Sequence, residues 1–287
     1  MRPTIANFAL STLLLLFMTT EALAKDVVVL VPGFFNSFAP EYFSQDIIRS
    51  FEEKGFKVYS TKNLNPIGTI EENGMRLENF LAKIETLENT KVSFNLVAHS
   101  AGGFYSLFVA DRQNFDIKNI FTVSTPYKGI ELQRWLNDPT VSCILTDYLH
   151  LGALAQLTKS GVTKFLKGIR VSPKVKITAF GGYQNKSLNI WDAQFLSPPL
   201  RFTSDFISEI SDGIVGYSSS LGLNSLLTTN NMMIQIKKPK YFFALEHWEQ
   251  VLDSSAFLLL GIFNTSYIRE EQLRFYSILA NDLLQMQ

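Results

Sequence analysis

The stretch from Val92 to Gly103 reads Val-Ser-Phe-Asn-Leu-Val-Ala-His-Ser-Ala-Gly-Gly. It passes from an apolar β-type run into small residues. A serine hydroxyl becomes a useful nucleophile only when a base takes its proton and its backbone holds it clear of the chain. A sharp strand-to-helix turn meets the second need, and it demands very small residues two before and two after the serine, the G-x-S-x-G pattern. Around Ser100 those positions are Ala98 and Gly102. Many Ser-x-Gly stretches are plain turns, so context decides. Phe94, Leu96 and Val97 precede the serine as a buried strand would, and Phe104, Leu107, Phe108 and Val109 follow at helical spacing.

The base comes from three histidines. His99 stands beside the serine, where its side chain is expected to point away from the nucleophile, and His150 falls in a helical insertion. His247 follows an apolar run near the C-terminus and fits the chain order serine, acid, histidine. The acid belongs between Ser100 and His247, where it fixes the imidazole tautomer. Asp212 in Ser-Asp-Gly-Ile-Val is favoured because a glycine beside the carboxylate suits a tight turn, with Asp192 and Asp205 in reserve; an Asx-turn is the alternative role. An oxyanion needs two N–H donors. Ala101, directly after the serine, and Phe34, in the loop after the first strand, are the candidates, with Gly33 letting that loop approach.

Elements must carry these groups to one place. Val27 to Val31 is a β-branched run ending at Pro32-Gly33, a buried central strand. Tyr42, Phe43, Ile47, Ile48 and Phe51 recur at helical spacing, Val58 and Tyr59 suggest a strand, and Ile70, Leu77, Phe80, Leu81, Ile84 and Leu87 form an amphipathic helical face. Ile120 to Ser124, Val175 to Phe180 and Tyr241 to Leu245 read as further strands, and Leu273 to Leu284 as a terminal helix. This alternation predicts a mostly parallel central sheet with helices on both faces, whose sites lie at the carboxyl ends of the strands. Between Trp135 and Leu166 the alternation gives way to apolar helical segments, either a lid insertion, about 130–170, or ordinary cover of the sheet.

The 287 residues, 46% of them hydrophobic, suffice for one large domain, 25–287. Lys and Arg balance Asp and Glu at 26 each with no basic block, which argues against nucleic acid as a partner. Arg2, the apolar segment Phe8 to Met18 and the small-x-small site Ala22-Leu23-Ala24 read as a signal peptide, 1–24, and hence a periplasmic or secreted protein; the alternative is an uncleaved anchor. Cys143 is the only cysteine, so no intrachain disulfide forms.

Several ordered motifs together resemble the true lipases of Gram-negative bacteria, triacylglycerol hydrolases of the α/β-hydrolase fold. They are Pro32-Gly33-Phe34, Ala98 to Gly103, Val123 to Gly129, Ser211 to Gly216, Ser218 to Gly222 and His247 to Val251. The resemblance implies nucleophile Ser100, acid Asp212, base His247, oxyanion donors Phe34 and Ala101, and a helical lid after Gly129. It also implies a structural calcium steadying the histidine loop, at Asp192 and Glu249, and in some relatives a membrane-anchored foldase as partner. Four positions depart from the pattern. Pro32 replaces a histidine, Ala98 a glycine and Glu249 an aspartate, and Tyr217 stands near a family cysteine. The expected function is an exported serine ester hydrolase acting on acylglycerols, with no cofactor needed for the chemistry. A short-chain esterase, a phospholipase or acyltransferase with the same triad, and a non-catalytic lipid-binding protein are the alternatives.

Overall fold

Five consecutive residues, Val27 to Val31, are fully buried, because their strand lies at the middle of a sheet covered on both sides. The computed structural model describes residues 25–34, 36, 41–130, 151–183, 207, 210–239, 244–255 and 265–286. The expected leader, 1–24, His150, Cys143, Asp192 and Asp205 lie outside them. Among the described residues no helix is long and apolar enough to cross a membrane.

Strand β1 (Lys25–Val31) pairs with β2 (Lys57–Ser60) and β3 (Val92–His99), β3 with β4 (Asp116–Val123), and β4 with β6 (Lys176–Phe180). Every pairing is parallel, in the order β2-β1-β3-β4-β6. Side chains alternate across the pleat, so each strand feeds two cores. Val27, Val29 and Val31 join Leu77, Leu81 and Ile84 of α2 (Ile70–Glu88) and Phe104 and Leu107 of α3 (Gly102–Arg112). Val28 and Leu30 join Ile47 and Phe51 of α1 (Gln45–Glu52) and Phe275, Leu279 and Leu283 of the terminal helix, Thr265–Gln285. Helix α2 follows its expected face except at its end, where Leu87 is 73% exposed in the last turn before the left-handed cap Asn89.

The segment after β4 resumes with α4 (Leu151–Gln156) and α5 (Lys159–Gly168). Ala153, Leu154, Leu157 and Val162 are buried in the core shared with α3, and the Phe165 ring meets Phe104 edge-on at 5.7 Å. Gln156 accepts from the Ile70 N–H at 2.7 Å, tying this pair of helices to the start of α2. The lid expectation for 131–150 lies outside the described residues.

A second, small sheet was not expected from the sequence. Strand β5 (Arg170–Val171) pairs parallel with β7 (Ser225–Thr228), which pairs antiparallel with β8 (Met233–Gln235). Such short strands carry no readable period. The strand expected over Tyr241 to Leu245 falls mostly outside the described residues, and Ala244 and Leu245 are not in a strand.

Candidate active site

Strand β3 ends at His99, and Ser100 has φ of +54°, in the left-handed region that a non-glycine residue enters only under constraint. Its N–H is held by the Val123 carbonyl at 2.9 Å, and its carbonyl accepts from Thr125 Oγ1 at 2.7 Å. The backbone is thus clamped between β4 and the loop after it. Small residues around the turn are steric requirements. A Cβ on Gly102 would lie 2.4 Å from the Val31 carbonyl oxygen, and one on Gly103 2.2 Å from Thr125 Oγ1. Ala98 is fully buried and is accommodated in β3 where a glycine was the usual choice.

The loop after β1 comes equally close. A Cβ on Gly33 would sit 2.6 Å from Ser100 Cβ and 3.0 Å from the Ala101 nitrogen. Gly33 therefore packs directly against the turn, and Phe34, 8% exposed, follows it. Ala101 is the N-cap of α3 and offers no side-chain bond; the Gly103 and Phe104 N–H groups donate to the Ser100 and Ala101 carbonyls at 3.2 and 2.9 Å.

Asp212 and His247 meet. The Asp212 carboxylate is fully buried and accepts four hydrogen bonds: Oδ1 from the Ile214 and Val215 N–H groups at 3.1 and 2.8 Å, Oδ2 from His247 Nδ1 at 2.8 Å and Gln250 Nε2 at 3.1 Å. The two carboxylate oxygens face different partners. One oxygen closes an Asx-type turn that Gly213 completes at φ +95°, and the other takes the imidazole. An acceptor at Oδ2 places the His247 proton on Nδ1 and leaves Nε2 with a lone pair, the form a general base needs. The His247 N–H also bonds the Asp212 carbonyl at 2.9 Å.

The histidine loop is fastened from three sides. Gln272 of the terminal helix donates to the Glu249 and Leu252 carbonyls, both at 2.7 Å, and the Ser44 N–H ahead of α1 donates to the Val251 carbonyl at 2.8 Å. Gln250 fastens it from within. Gln272 did not stand out in the sequence, and Gln250 was read only as part of the His247 to Val251 motif.

The His99 ring packs between Tyr42 and His247. It is fully buried, with Nδ1 2.8 Å from the Tyr42 hydroxyl, and its ring lies 4.5 Å from that of His247 between centroids. Burial, followed by the repulsion of a charged His247, holds its pKa well below the usual histidine range. It stays neutral beneath the candidate base.

Glu249, carried over by resemblance as a calcium ligand, is 2% exposed, and its Oε2 accepts from the Glu246 N–H at 3.1 Å. Glu246 beside it is also buried. Calcium takes about six to eight oxygens. Among the described residues no group of three His, Cys, Asp or Glu side chains could hold a metal ion, and Asp192 lies outside them. Burial, then the neighbouring Glu246 charge, raises the Glu249 pKa well above its ordinary value. The folded protein therefore binds a proton that the unfolded chain releases above about pH 4.3. This stabilisation is complete below that value and is lost as pH rises through the folded pKa. Glu249→Gln, which keeps an oxygen for the Glu246 N–H, is expected to flatten the decline in melting temperature as pH rises above about 4.3. Parallel declines in wild type and variant, measured in chelator, would refute it.

No family model matches the sequence. A stretch of 93 residues is 36% identical to triacylglycerol lipase 2 of Saccharomyces cerevisiae; it takes in 30% of this chain and 28% of the yeast protein's length. Solved structures resemble the whole fold. The mature lipase BlEst2 of Bacillus licheniformis is 20% identical, with a TM-score of 0.55 over 84% of this chain and 94% of its own. The metagenomic carboxyl esterase MGS0156 is 16% identical, with a TM-score of 0.65 over 91% and 76%. The lipase of Staphylococcus hyicus is 14% identical, with a TM-score of 0.61 over 92% and 96%. The fold is that of the α/β-hydrolases.

Proposed function

We propose that the protein is a serine carboxylic-ester hydrolase, a lipase, and that Ser100, His247 and Asp212 are its triad. The observation that carries this reading is the 2.8 Å bond from His247 Nδ1 to a fully buried Asp212, in a loop whose histidine lies against the residue preceding a strained Ser100. His247 Nε2 takes the Ser100 proton as Oγ attacks the ester carbonyl. The oxyanion is held by the Ala101 and Phe34 N–H groups, and the imidazolium, steadied by Asp212, protonates the departing alcohol. Water activated by the same histidine then releases the acid from the acyl-enzyme. Export after removal of residues 1–24 belongs to this reading, and N-terminal sequencing of the exported protein tests it.

The test is reaction of the purified protein with a fluorophosphonate, mapping of the adduct by mass spectrometry, and hydrolysis of butyrate and oleate esters in parallel. An adduct on Ser100 with preference for oleate supports a lipase. Preference for butyrate makes the protein a short-chain esterase, and a folded protein that neither labels nor hydrolyses points to lipid binding without catalysis.

The oxyanion loop gives a separate prediction. In Gly33→Ala the new methyl would meet Ser100 Cβ at 2.6 Å and the His99 carbonyl oxygen at 2.9 Å, so the loop must retreat and withdraw Phe34. Loss of one oxyanion donor lowers kcat by about 10²- to 10³-fold. Steady-state kinetics at unchanged far-UV circular dichroism measure it, and kcat within a factor of about three of wild type would remove Phe34 from the site.

A further inference from the structure

The 26 basic and 26 acidic residues of the chain are unevenly placed. The stretch 151–183 holds six cations, Lys159, Lys164, Lys167, Arg170, Lys174 and Lys176, and no acid; 213–239 adds Lys237 and Lys238, again with no acid. Apolar and small residues separate these charges along the chain, and the fold gathers them. Strand β5 pairs with β7, and the Lys237 backbone bonds Ile177 and Ala179 of β6. The seven lysines are exposed, and among the described residues none of the eight cations forms an ion pair. Asp111 and Glu71 border the face and are both engaged, Asp111 with the Arg170 N–H at 2.6 Å and Glu71 with the Gln156 side chain. The same face exposes apolar surface. Arg170, Leu227 and Met233 stand in register across the small sheet, and with Leu166 and Lys167 of α5 they line an open groove of about 330 Å³. In the hairpin between β7 and β8, Met232 and Met233 are 57% and 52% exposed. Single exposed hydrophobic residues are ordinary, but an adjacent pair beside a groove rimmed by cations marks an interaction surface.

We propose that α5 and the small sheet dock the protein on an anionic phospholipid surface, with Met232 and Met233 entering the headgroup layer and the lysines lying against the lipid phosphates. Lysine is a mobile point charge on a long apolar stem, suited to a diffuse negative surface, whereas specific phosphate recognition uses planar arginine forks. The one arginine is partly committed, its Nη1 donating to the Lys167 and Ile169 carbonyls. Single-stranded nucleic acid would need rings to stack on, and Phe165 of α5 is turned onto Phe104 in the core. An acidic protein would pair with the lysines and leave the methionines in water. A phospholipid surface satisfies both, charge at the phosphates and apolar area just beneath them. The face includes no triad residue, so the lipid is a support to which the protein binds and not its substrate. Lys159 at the start of α5 abuts Gly129, in the loop after β4, and Thr125 of that loop clamps the Ser100 turn. The docking face therefore begins beside the site.

The experiment is co-sedimentation of the mature chain with vesicles of phosphatidylcholine alone and of phosphatidylcholine with about a third phosphatidylglycerol. It is made in Ser100→Ala, so that hydrolysis of the vesicle lipid does not enter. The parent is expected to bind the anionic vesicles and not the neutral ones, and to come off as salt rises from about 0.1 M to about 1 M. Lys164→Gln/Lys167→Gln/Lys174→Gln should weaken binding by about 100-fold, at about fivefold for each lysine near the surface. Met232→Ser/Met233→Ser should weaken it by about tenfold through lost apolar burial. The control trio Lys54→Gln/Lys83→Gln/Lys91→Gln makes the same change in net charge at exposed positions elsewhere and should stay within about threefold of the parent. Equal losses in the two lysine trios would reduce the effect to overall charge and overturn the docking face. Parent-like binding by the methionine variant would also overturn it, and would favour an acidic protein as the partner. The parent decides without any variant as well, since failure to bind anionic vesicles, or binding that salt leaves unchanged, overturns the proposal. With Ser100 intact, the three sets of substitutions should leave kcat on a soluble butyrate ester unchanged. Failure of the hydrolase reading shows separately, as wild type without Ser100-dependent turnover, and the vesicle measurements do not depend on it.

Discussion

Ser100→Ala is expected to lower turnover by about 10⁶-fold and abolish fluorophosphonate labelling, the loss typical of removing the nucleophile from a serine triad. Ser100→Gly should be equally inactive and yet more stable than wild type. The difference between them lies in the backbone. At φ +54° a residue with a Cβ carries about 1–2 kcal/mol of strain, and alanine carries it as serine does. Glycine is free of that strain and gives back about 0.4–1 kcal/mol through the entropy of its unfolded chain. Relief of strain outweighs that entropy, so Ser100→Gly should gain about 0.5–1 kcal/mol in urea unfolding, with Ser100→Ala near wild type. A protein that is less stable with glycine than with serine would mean that the turn is not strained. Turnover persisting in either variant would remove Ser100 from the chemistry altogether. Strain kept at one position, against the stability of the whole, is what a site selected for reactivity shows.

Ser100 was legible in the sequence because its turn constrains residue types over five positions. Gly102 meets the Val31 carbonyl so closely that almost nothing else fits, and a constraint of that kind is written in composition. The central strands were legible because β1 is buried on both faces and therefore apolar at every residue from Val27 to Val31. Asp212 was readable for a related reason, since Gly213 at φ +95° marks the turn that aims its carboxylate. The groups packed behind the Asp212–His247 pair were not. His99 sits on β3 with its ring against His247, a contact made by a loop about 150 residues further on, and no local pattern carries a distance of that kind. Gln250, Gln272 and Ser44 act through single hydrogen bonds across the fold, where any polar residue of loop or cap would look the same. The small sheet β5-β7-β8 escaped because its strands hold two, four and three residues, too few for a period to show.

Asp212→Asn should separate the acid's two duties. All four groups that face its carboxylate are donors, two backbone N–H groups on Oδ1 and His247 and Gln250 on Oδ2. Asparagine supplies one oxygen and one NH₂, so one pair of donors must face another donor. The Ile214 and Val215 amides belong to a tight turn and cannot rotate, whereas an imidazole can change tautomer. The NH₂ therefore turns to His247, which moves its proton to Nε2 and points it at Ser100. A base in that form cannot take the serine proton, and kcat is expected to fall about 10⁴-fold. The cost to the fold is far smaller, about 1–3 kcal/mol, because only Gln250 is left facing a donor. Asp212→Ala, by contrast, strips acceptors from all four donors and should unfold at markedly lower denaturant. Kinetics and urea unfolding on the two variants distinguish these duties. If Asp212→Asn keeps more than about a tenth of wild-type kcat, Asp212 only shapes the turn, and the acid must be sought at Asp192 or Asp205.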